Sequence, residues 1–133
     1  MLDADSLDKA IEGCTYVVHT ASPLPIAVPE DENVVIKPAV EGTLAVMRAA
    51  HKHGVKRVVI TSSGLTMTLH KPEDQKEIYT EDDWSDLSVC GPYEKSKTLA
   101  EKAAWDYVGA LPADEKFELV VIIPGLIQGP ALI

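Results

Sequence analysis

Three short and largely apolar runs, VVH, VVI and LVVII, place the strongest constraint on how this chain can fold. Each run is continuous rather than alternating, which is the pattern of strands that are covered on both faces. A segment with the helical spacing of apolar residues precedes each run. This order of helix, strand, helix, strand, helix, strand predicts an α/β fold that is built on a parallel sheet with right-handed crossovers.

Capping residues mark the ends of the first two predicted helices. Asp5 or Ser6 can cap a first helix that runs through Glu12. Gly13 suits the left-handed position that commonly follows the end of a helix. A long second helix is predicted to end in the same way before Gly54, so both strands that follow these helices begin at a defined point.

The third predicted helix carries a lysine on the face that should pack against the protein. Pro92 is suited to the first turn of this helix, because proline lacks the N–H that a first turn leaves unpaired. One stripe of the helix should face the protein, and the opposite stripe should be solvated. The inward stripe contains Tyr93, Lys97, Ala100, Ala104 and Tyr107, and the solvated stripe contains Lys95, Thr98, Lys102 and Asp106.

Tyr93 and Lys97 stand one helical turn apart and can therefore share one site, since residues at this spacing have Cβ atoms roughly 5–6 Å apart. An ammonium group near a phenol favours the phenolate and lowers the pKa of the tyrosine. Such a tyrosine can donate or accept a proton near neutral pH. The two residues alone leave a second interpretation open, in which a core tyrosine lies beside a lysine whose ammonium reaches solvent.

Small and hydroxyl-bearing residues follow each predicted strand. Thr61, Ser62 and Ser63 end the second strand, while the first runs into HTASP and the third into PGLIQGP. Ligands of open α/β sheets bind outside the carboxyl ends of the strands. A hydroxyl group at this position can donate a hydrogen bond to a substrate carbonyl. Together with Tyr93 and Lys97, the three strand ends predict a ligand site at this edge of the sheet.

Charge and composition restrict the class of partner. The net charge of −9 at pH 7 argues against nucleic acid and anionic membrane, because phosphate groups would be repelled. A metabolite-sized ligand is expected instead. Cys14 and Cys90 do not make a disulfide framework, no secretory leader is recognisable, and no apolar run could cross a bilayer, so a cytoplasmic location is expected. No metal site is predicted, because His51 and His53 stand two apart on a helix and point in different directions.

One connection is longer than a compact domain usually needs. Residues 67–90 contain seven carboxylates and show no regular period. Loops of this length are usually either functional or disordered. The sequence leaves two interpretations open, a solvated surface excursion and a loop that lines a ligand pocket. Trp84 is expected either to pack in the interior or to stand at the mouth of such a pocket.

Five segments resemble one known family. VVHTASP, AVEGTLAVMRAA, VKRVVITSSG, YEKSKTLAEKAAW and IIPGLIQGP are similar, in order and spacing, to the extended short-chain dehydrogenases/reductases. The similarity is to the branch that contains dihydroflavonol reductases and cinnamoyl-CoA reductases, and it covers nearly the whole chain. It implies a partial Rossmann fold with strands 4 to 6 of the family's sheet and flanking helices. It also implies NADP, or alternatively NAD, as the cofactor and a small carbonyl compound as the substrate.

The resemblance assigns a role to individual residues. Ser63 would bind the carbonyl oxygen, Tyr93 would be the general acid, and Lys97 would lower the pKa of Tyr93 and hold the ribose of the nicotinamide. Hydride would then pass to an aldehyde or ketone carbon while Tyr93 protonates the oxygen. Besides Tyr93 and Lys97, the cofactor contacts would come from Thr20, Ala21, Ser22, Ser62, Pro124 and Leu126.

The sequence also departs from the family pattern. It contains no G-x-x-G-x-x-G turn, which holds the cofactor pyrophosphate in the family, and no C-terminal region that would cover the substrate. Residues 1–133 are therefore expected to be the central part of one NAD(P)-binding domain. Thr68 stands where dihydroflavonol reductases carry an asparagine, so a broader carbonyl reductase is expected. Two alternatives stay open: a non-catalytic truncated relative or interaction fragment, and an enzyme of the hydroxysteroid dehydrogenase or sugar epimerase kind.

Overall fold

The computed structural model describes residues 3–130, and these residues form three α-helices, two short 3-10 helices and one sheet of three strands. No helix in this part of the chain combines the length and the apolar character that a membrane span needs. The predicted alternation of helix and strand is confirmed. The elements in chain order are α1 (Ala4–Ile11), β1 (Tyr16–His19), α2 (Asn33–Lys52), β2 (Arg57–Thr61), the 3-10 helices Gly64–Thr66 and Pro72–Asp74, α3 (Pro92–Ala110) and β3 (Glu118–Ile122).

The three strands are parallel and lie in the order β1-β2-β3, so their carboxyl ends meet at one edge of the sheet. Thr61 at the end of β2 lies opposite Ile122 at the end of β3. Backbone hydrogen bonds continue past this pair, with Ser62 N donating to Ile122 O at 2.8 Å and Gly64 N donating to Pro124 O at 2.8 Å. The two chain segments that follow β2 and β3 are therefore held in a fixed register.

One apolar core lies between the helices and one face of the sheet. Met47 and Ala50 of α2 and Ala104 of α3 are completely buried in it, and they pack with Val58 of β2. Because side chains of α1, α2 and α3 join the same cluster, all three helices cover the same face of the sheet. The cluster is completed by Ile11, Val46, Ala49, Val55, Ile60, Val108, Phe117 and Leu119.

The opposite face of the sheet is less covered, and the prediction that the strands are covered on both faces is wrong for the described residues. Val58 and Ile60 of β2 are buried, whereas Tyr16 of β1 is 63% exposed and Val18 is 67% exposed. Successive side chains of a strand point to opposite faces. Since the three helices share one face, side chains that point the other way receive little cover from residues 3–130.

Glycines end α1 and α2 as predicted. Gly13 has φ of 77° and Gly54 has φ of 66°, a left-handed conformation that costs other residues free energy. The start of α1 differs from the prediction. Asp3 rather than Asp5 or Ser6 is the cap, and its Oδ1 accepts a hydrogen bond from Ser6 N at 3.0 Å. The cap lies two residues earlier than the first predicted position because the helix itself begins at residue 4.

Helix α3 is buried on more of its surface than its apolar stripe predicts. Lys97 lies inward, as expected, and is 8% exposed. Thr98, which was predicted to be solvated, is completely buried, and its hydroxyl donates to Glu94 O at 2.9 Å. The reason is that α3 packs against α2 as well as against the sheet. Lys95 on this side pairs with Glu32 at 2.6 Å.

Residues 67–84 form an excursion that is closed at its base by hydrogen bonds. Ser85 N donates to Thr66 O at 2.8 Å, and Ser85 Oγ donates to Leu65 O at 2.9 Å. Ser85 Oγ also accepts a hydrogen bond from Leu69 N at 2.9 Å. The buried Ser85 side chain thus ties the end of the excursion to its beginning, and the chain then continues to α3.

Candidate active site

Ser63 and Tyr93 line one cavity at the carboxyl edge of the sheet, which we call the tyrosine cavity. It has a volume of about 540 Å³. Ser63 follows β2, Tyr93 stands in the first turn of α3, and within residues 3–130 no charged side chain lines the cavity. Its wall is therefore apolar except for hydroxyl and backbone groups. The other lining residues are Gly64, Leu65, Thr68, Pro124, Gly125 and Leu126.

The backbone around Ser63 fixes the position of its hydroxyl group. Ser63 is the cap of the 3-10 helix that follows β2, and its Oγ accepts a hydrogen bond from Leu65 N at 3.3 Å. The next residue, Gly64, is bonded to Pro124 across the sheet edge. Because Oγ accepts from the backbone, the hydroxyl hydrogen of Ser63 can be donated to an oxygen atom of a ligand.

The pKa of Tyr93 is raised from its ordinary value, so the prediction of a lowered pKa is wrong. Partial burial of the phenol is the main cause, and the negative charge of Glu94 adds to it. The ammonium group of Lys97 instead donates to the carbonyl oxygen of Thr61 at 2.9 Å. The phenol of Tyr93 is consequently a proton donor at neutral pH.

Lys97 lines a second, narrow cavity next to the first, which we call the lysine cavity. Burial lowers the pKa of the Lys97 ammonium, and the charge of Glu101 opposes this shift. The two cavities share no lining residue, but consecutive residues, Ser62 and Ser63, line one each, as do Lys97 and Tyr93, which are one turn apart on α3. The lysine cavity is lined by His19, Ala21, Ser22, Ala39, Thr43, Ile60, Thr61, Ser62, Lys97, Ala100 and Glu101.

The remaining predicted cofactor residues fall into three groups. Ala21 and Ser22 reach the lysine cavity. Pro124 and Leu126 reach the tyrosine cavity, whereas Thr20 is exposed and lines neither. Ser62 borders the lysine cavity, but it is buried and its hydroxyl donates to Glu101. The role of each as a cofactor contact stays a prediction.

Sequence reasoning missed Glu101. This residue is buried, accepts a hydrogen bond from the hydroxyl of Ser62, and lines the lysine cavity. The sequence contains a signal for it, because Tyr93, Lys97 and Glu101 recur at intervals of four and therefore lie close to one side of a helix. This spacing was not used in the prediction, because the prediction followed the apolar stripe, in which Ala100 and not Glu101 comes after Lys97.

Trp84 lies in a different and larger cavity. This cavity of about 850 Å³ borders β3 and is lined on one side by residues of the 67–90 connection, among them Tyr79 and Trp84. Trp84 is half-buried, and the ammonium of Lys102 lies 4.8 Å from the centre of its ring. The connection therefore lines cavities, and it contributes Thr68 to the tyrosine cavity.

The state of His19 leads to a prediction on stability and pH. The pKa of His19 is lowered, first by burial and then by the charge of Lys97. Between this lowered pKa and the ordinary value, the unfolded chain binds more protons than the folded chain, so the free energy of unfolding rises with pH. Stability is therefore expected to fall when the pH decreases from about 7 to about 5. His19→Gln should reduce this slope, as measured by urea denaturation at several pH values.

The control for this prediction is His70→Gln. His70 stacks on Tyr79 in the 67–90 connection and is not part of the lysine cavity. The pH slope of the His19→Gln variant is compared with that of this variant and with that of the unmodified protein. An equal slope in the His19→Gln variant and the unmodified protein would show that His19 does not contribute.

Comparison with known proteins identifies the family of the chain. Residues 1–130 match the 3-beta hydroxysteroid dehydrogenase/isomerase family. The chain belongs to this family. Dihydroflavonol 4-reductase of Zea mays is similar to this family member, with 42% identity over 138 residues that cover 98% of the chain and 37% of the maize protein. Dihydroflavonol 4-reductase of Arabidopsis thaliana is 45% identical over 134 residues, which cover 94% of the chain and 33% of that protein.

A solved structure supports the same relationship. The yeast methylglyoxal/isovaleraldehyde reductase Gre2, crystallised in complex with NADPH, aligns with a TM-score of 0.81 and 29% identity. The alignment covers 100% of this member of the 3-beta hydroxysteroid dehydrogenase/isomerase family and 43% of Gre2. The predicted resemblance to short-chain dehydrogenases/reductases and the predicted partial Rossmann fold are thereby confirmed. The chain spans less than half the length of each of these three proteins.

Proposed function

We propose that the protein carrying this chain is an NAD(P)H-dependent reductase of aldehydes or ketones. The observation that carries the proposal is that the Ser63 hydroxyl and the Tyr93 phenol line one uncharged cavity beside the buried ammonium of Lys97. The names of the maize and Arabidopsis relatives and of yeast Gre2, which are all reductases, support it.

Ser63 and Tyr93 have complementary tasks at a substrate carbonyl. Ser63 accepts from Leu65 N and can donate its hydroxyl hydrogen to the carbonyl oxygen, which holds and polarises the substrate. The raised pKa of Tyr93 keeps the phenol protonated at neutral pH. Tyr93 can therefore give its proton to the oxygen as negative charge develops there. The largely apolar wall of the tyrosine cavity favours an uncharged substrate.

The Lys97 side chain suits the ribose side of a nicotinamide cofactor, with the ribose at the mouth of the lysine cavity, because the cavity itself, at about 10 Å³, holds no more than a water-sized group. A lysine ammonium has three donors, and within residues 3–130 Lys97 uses one of them, in the bond to Thr61 O. The other donors suit hydroxyl groups of a ribose. Ala21 and Ser22 after β1 are small enough to let a ligand lie against the backbone. When bound, the reduced nicotinamide supplies hydride, and we assign NADP, or alternatively NAD, to this place.

A second candidate is the oxidation of a hydroxysteroid, which the name of the matched family favours. That direction needs Tyr93 as a general base in its phenolate form. The raised pKa of Tyr93 opposes this form, but it also makes the phenol a weaker acid, so it does not choose between the two directions. We place reduction first because the maize, Arabidopsis and yeast relatives are named as reductases. Comparing NADPH-dependent reduction with NAD-dependent hydroxysteroid oxidation in the same preparation distinguishes the two.

Cofactor binding tests the proposed function. We expect saturable binding of NADPH to the purified protein in calorimetry, with circular dichroism as the check of folding. Lys97→Ala should weaken this binding about tenfold or more, because hydrogen bonds to charged groups are worth about 1.5–3 kcal/mol. Lys52→Ala is the matched control. Lys52 pairs with Asp8 at 2.7 Å near the end of α2, away from both cavities, and its loss should leave the affinity unchanged.

Two results would contradict the proposed function. One is NADPH binding that does not weaken in Lys97→Ala, which would place the cofactor elsewhere. The other is the absence of any NADPH oxidation that depends on an added aldehyde or ketone in a folded preparation that binds NADPH.

A further inference from the structure

A buried carboxylate borders the lysine cavity, and the roles assigned above make no use of it. Glu101 is 5% exposed and stands one helical turn after Lys97 on α3. Ser62, which is 4% exposed, donates its hydroxyl to Glu101 Oε2. Glutamates are rarely buried to this extent unless they are paired, because removing a carboxylate from water is costly. A specific interaction must therefore compensate for the burial of Glu101.

The Ser62 hydroxyl is the hydrogen-bonding partner that compensates for it. Lys97 is buried one helical turn earlier and lines the same cavity; among residues 3–130 no direct ion pair joins it to Glu101, and the two charges act on each other at longer range. Each group has a hydrogen-bonding partner at the end of β2, Thr61 O for Lys97 and Ser62 Oγ for Glu101. The charge of Glu101 raises the pKa of Lys97 against the effect of burial.

These contacts join α3 to the strand end that carries Ser63. Two consecutive residues of β2 and its extension, Thr61 and Ser62, are each bound by a side chain of α3. The next residue along the chain is Ser63, whose hydroxyl lines the tyrosine cavity. Ser63 thus follows a strand end that is held by backbone hydrogen bonds to the segment after β3 and, in addition, by Lys97 at the Thr61 carbonyl and Glu101 at the Ser62 hydroxyl.

We propose that Glu101 is a positioning residue that balances the buried charge of Lys97 and holds Ser62, and through it Ser63, at the edge of the site. The inference deepens the proposed function and rests on it for the ligands that Lys97 and Ser63 would meet. The contacts of Glu101 with Ser62 and its place beside Lys97 are independent of those ligands.

Two substitutions separate charge from shape at this position. Glu101→Gln removes the negative charge but keeps a side-chain oxygen that can accept from the Ser62 hydroxyl. Glu101→Asp keeps the charge but has a side chain that is one methylene shorter. If the charge of Glu101 is what matters, Glu101→Gln should lower the pKa of Lys97 more than Glu101→Asp does. Glu101→Asp should leave the pKa of Lys97 close to that of the unmodified protein.

The test follows the titration of the Lys97 ammonium group by ¹⁵N nuclear magnetic resonance in the purified protein. In Glu101→Gln the midpoint should move down by about one pH unit, because a neighbouring opposite charge is lost. Asp106→Asn is the matched control. Asp106 is an exposed carboxylate on the same helix, and its replacement should leave the midpoint of Lys97 unchanged. An unchanged midpoint in a folded Glu101→Gln variant would overturn the proposal.

The pH profile of kcat is a second measurement, and it distinguishes the proposed role of Glu101 from a purely structural one. In Glu101→Gln the alkaline limb of the pH profile of kcat should move to lower pH together with the Lys97 midpoint. A structural role would instead lower kcat by the same factor at every pH, and that result would overturn the proposal.

If Glu101→Gln does not fold, a second pair of variants tests the proposal. Lys97→Met leaves the buried carboxylate without its opposite charge, so Lys97→Met/Glu101→Gln should unfold at a higher urea concentration than Lys97→Met. A double variant that is no more stable than Lys97→Met would overturn the proposal. The titration of Lys97 and the urea denaturation do not require activity. If the Lys97 midpoint moves in Glu101→Gln but the protein binds no NADPH, the proposed function is contradicted and the proposed role of Glu101 is not.

Discussion

Replacing Tyr93 with phenylalanine is expected to reduce the rate of carbonyl reduction about 10²–10⁴-fold, the usual contribution of a general acid. The substitution removes only the phenolic oxygen, so the ring still lines the tyrosine cavity and the fold should be retained. Because Lys97 remains, most of the affinity for NADPH should be retained, although Tyr93 is itself a predicted cofactor contact. The measurement is the rate of NADPH oxidation in the presence of an aldehyde or ketone, with kcat and KM determined separately.

Tyr107→Phe is the matched control for this experiment. Tyr107 lies on the same helix, and its hydroxyl is 3.3 Å from Nδ1 of His51, remote from both cavities. Its loss should leave kcat unchanged. If Tyr93→Phe retained the kcat of the unmodified protein, a group other than Tyr93 would have to protonate the substrate, and the assignment of the site would be wrong.

Replacing Met47 with alanine is expected to lower the free energy of unfolding by about 2–5 kcal/mol, the usual range for Met→Ala in a core. Met47 is completely buried in the cluster that α1, α2, α3 and the sheet share, so its removal leaves a cavity that many elements border. Urea denaturation followed by circular dichroism measures the change. Val34→Ala is the control, because Val34 on the same helix is exposed and surface substitutions usually change stability by less than about 0.5 kcal/mol.

A Met47→Ala variant as stable as Val34→Ala would contradict this account of the core. It would mean that the helices close the space that Met47 leaves, and that the packing between α2 and the sheet is less specific than the structure indicates.

The parts of the fold that depend on neighbouring residues could be predicted from the sequence. Gly13 and Gly54 end helices because the left-handed conformation is a local requirement, and the aliphatic runs form parallel strands in the predicted order. The burial of particular side chains could not be predicted in the same way. Val18 is exposed although its run is continuously apolar, and Thr98 is buried although its stripe is polar. Both outcomes depend on where the helices pack.

In the candidate site, too, the features set by neighbouring residues could be predicted, and those set by tertiary packing could not. The spacing of Tyr93 and Lys97 within one helix is local, and the sequence points to the strand end at Ser63 through its run of hydroxyl residues. The bond between Ser62 and Glu101 joins residues that are 39 positions apart, which no local pattern encodes. The direction of the Tyr93 pKa shift likewise depends on tertiary structure, since partial burial of the phenol is its main cause, the charge of Glu94 adds to it, and the Lys97 ammonium donates to Thr61.

The hydrogen bonds of Ser85 have a consequence for how substrate preference could diverge among relatives. Because they close the 67–84 excursion at its base, residues can be inserted or deleted within it without moving Ser63 at one end or Tyr93 at the other. Lengthening a surface loop costs little free energy once its ends are fixed. The excursion can therefore change the walls of the two larger cavities over evolutionary time while Ser63 and Tyr93 keep their mutual positions.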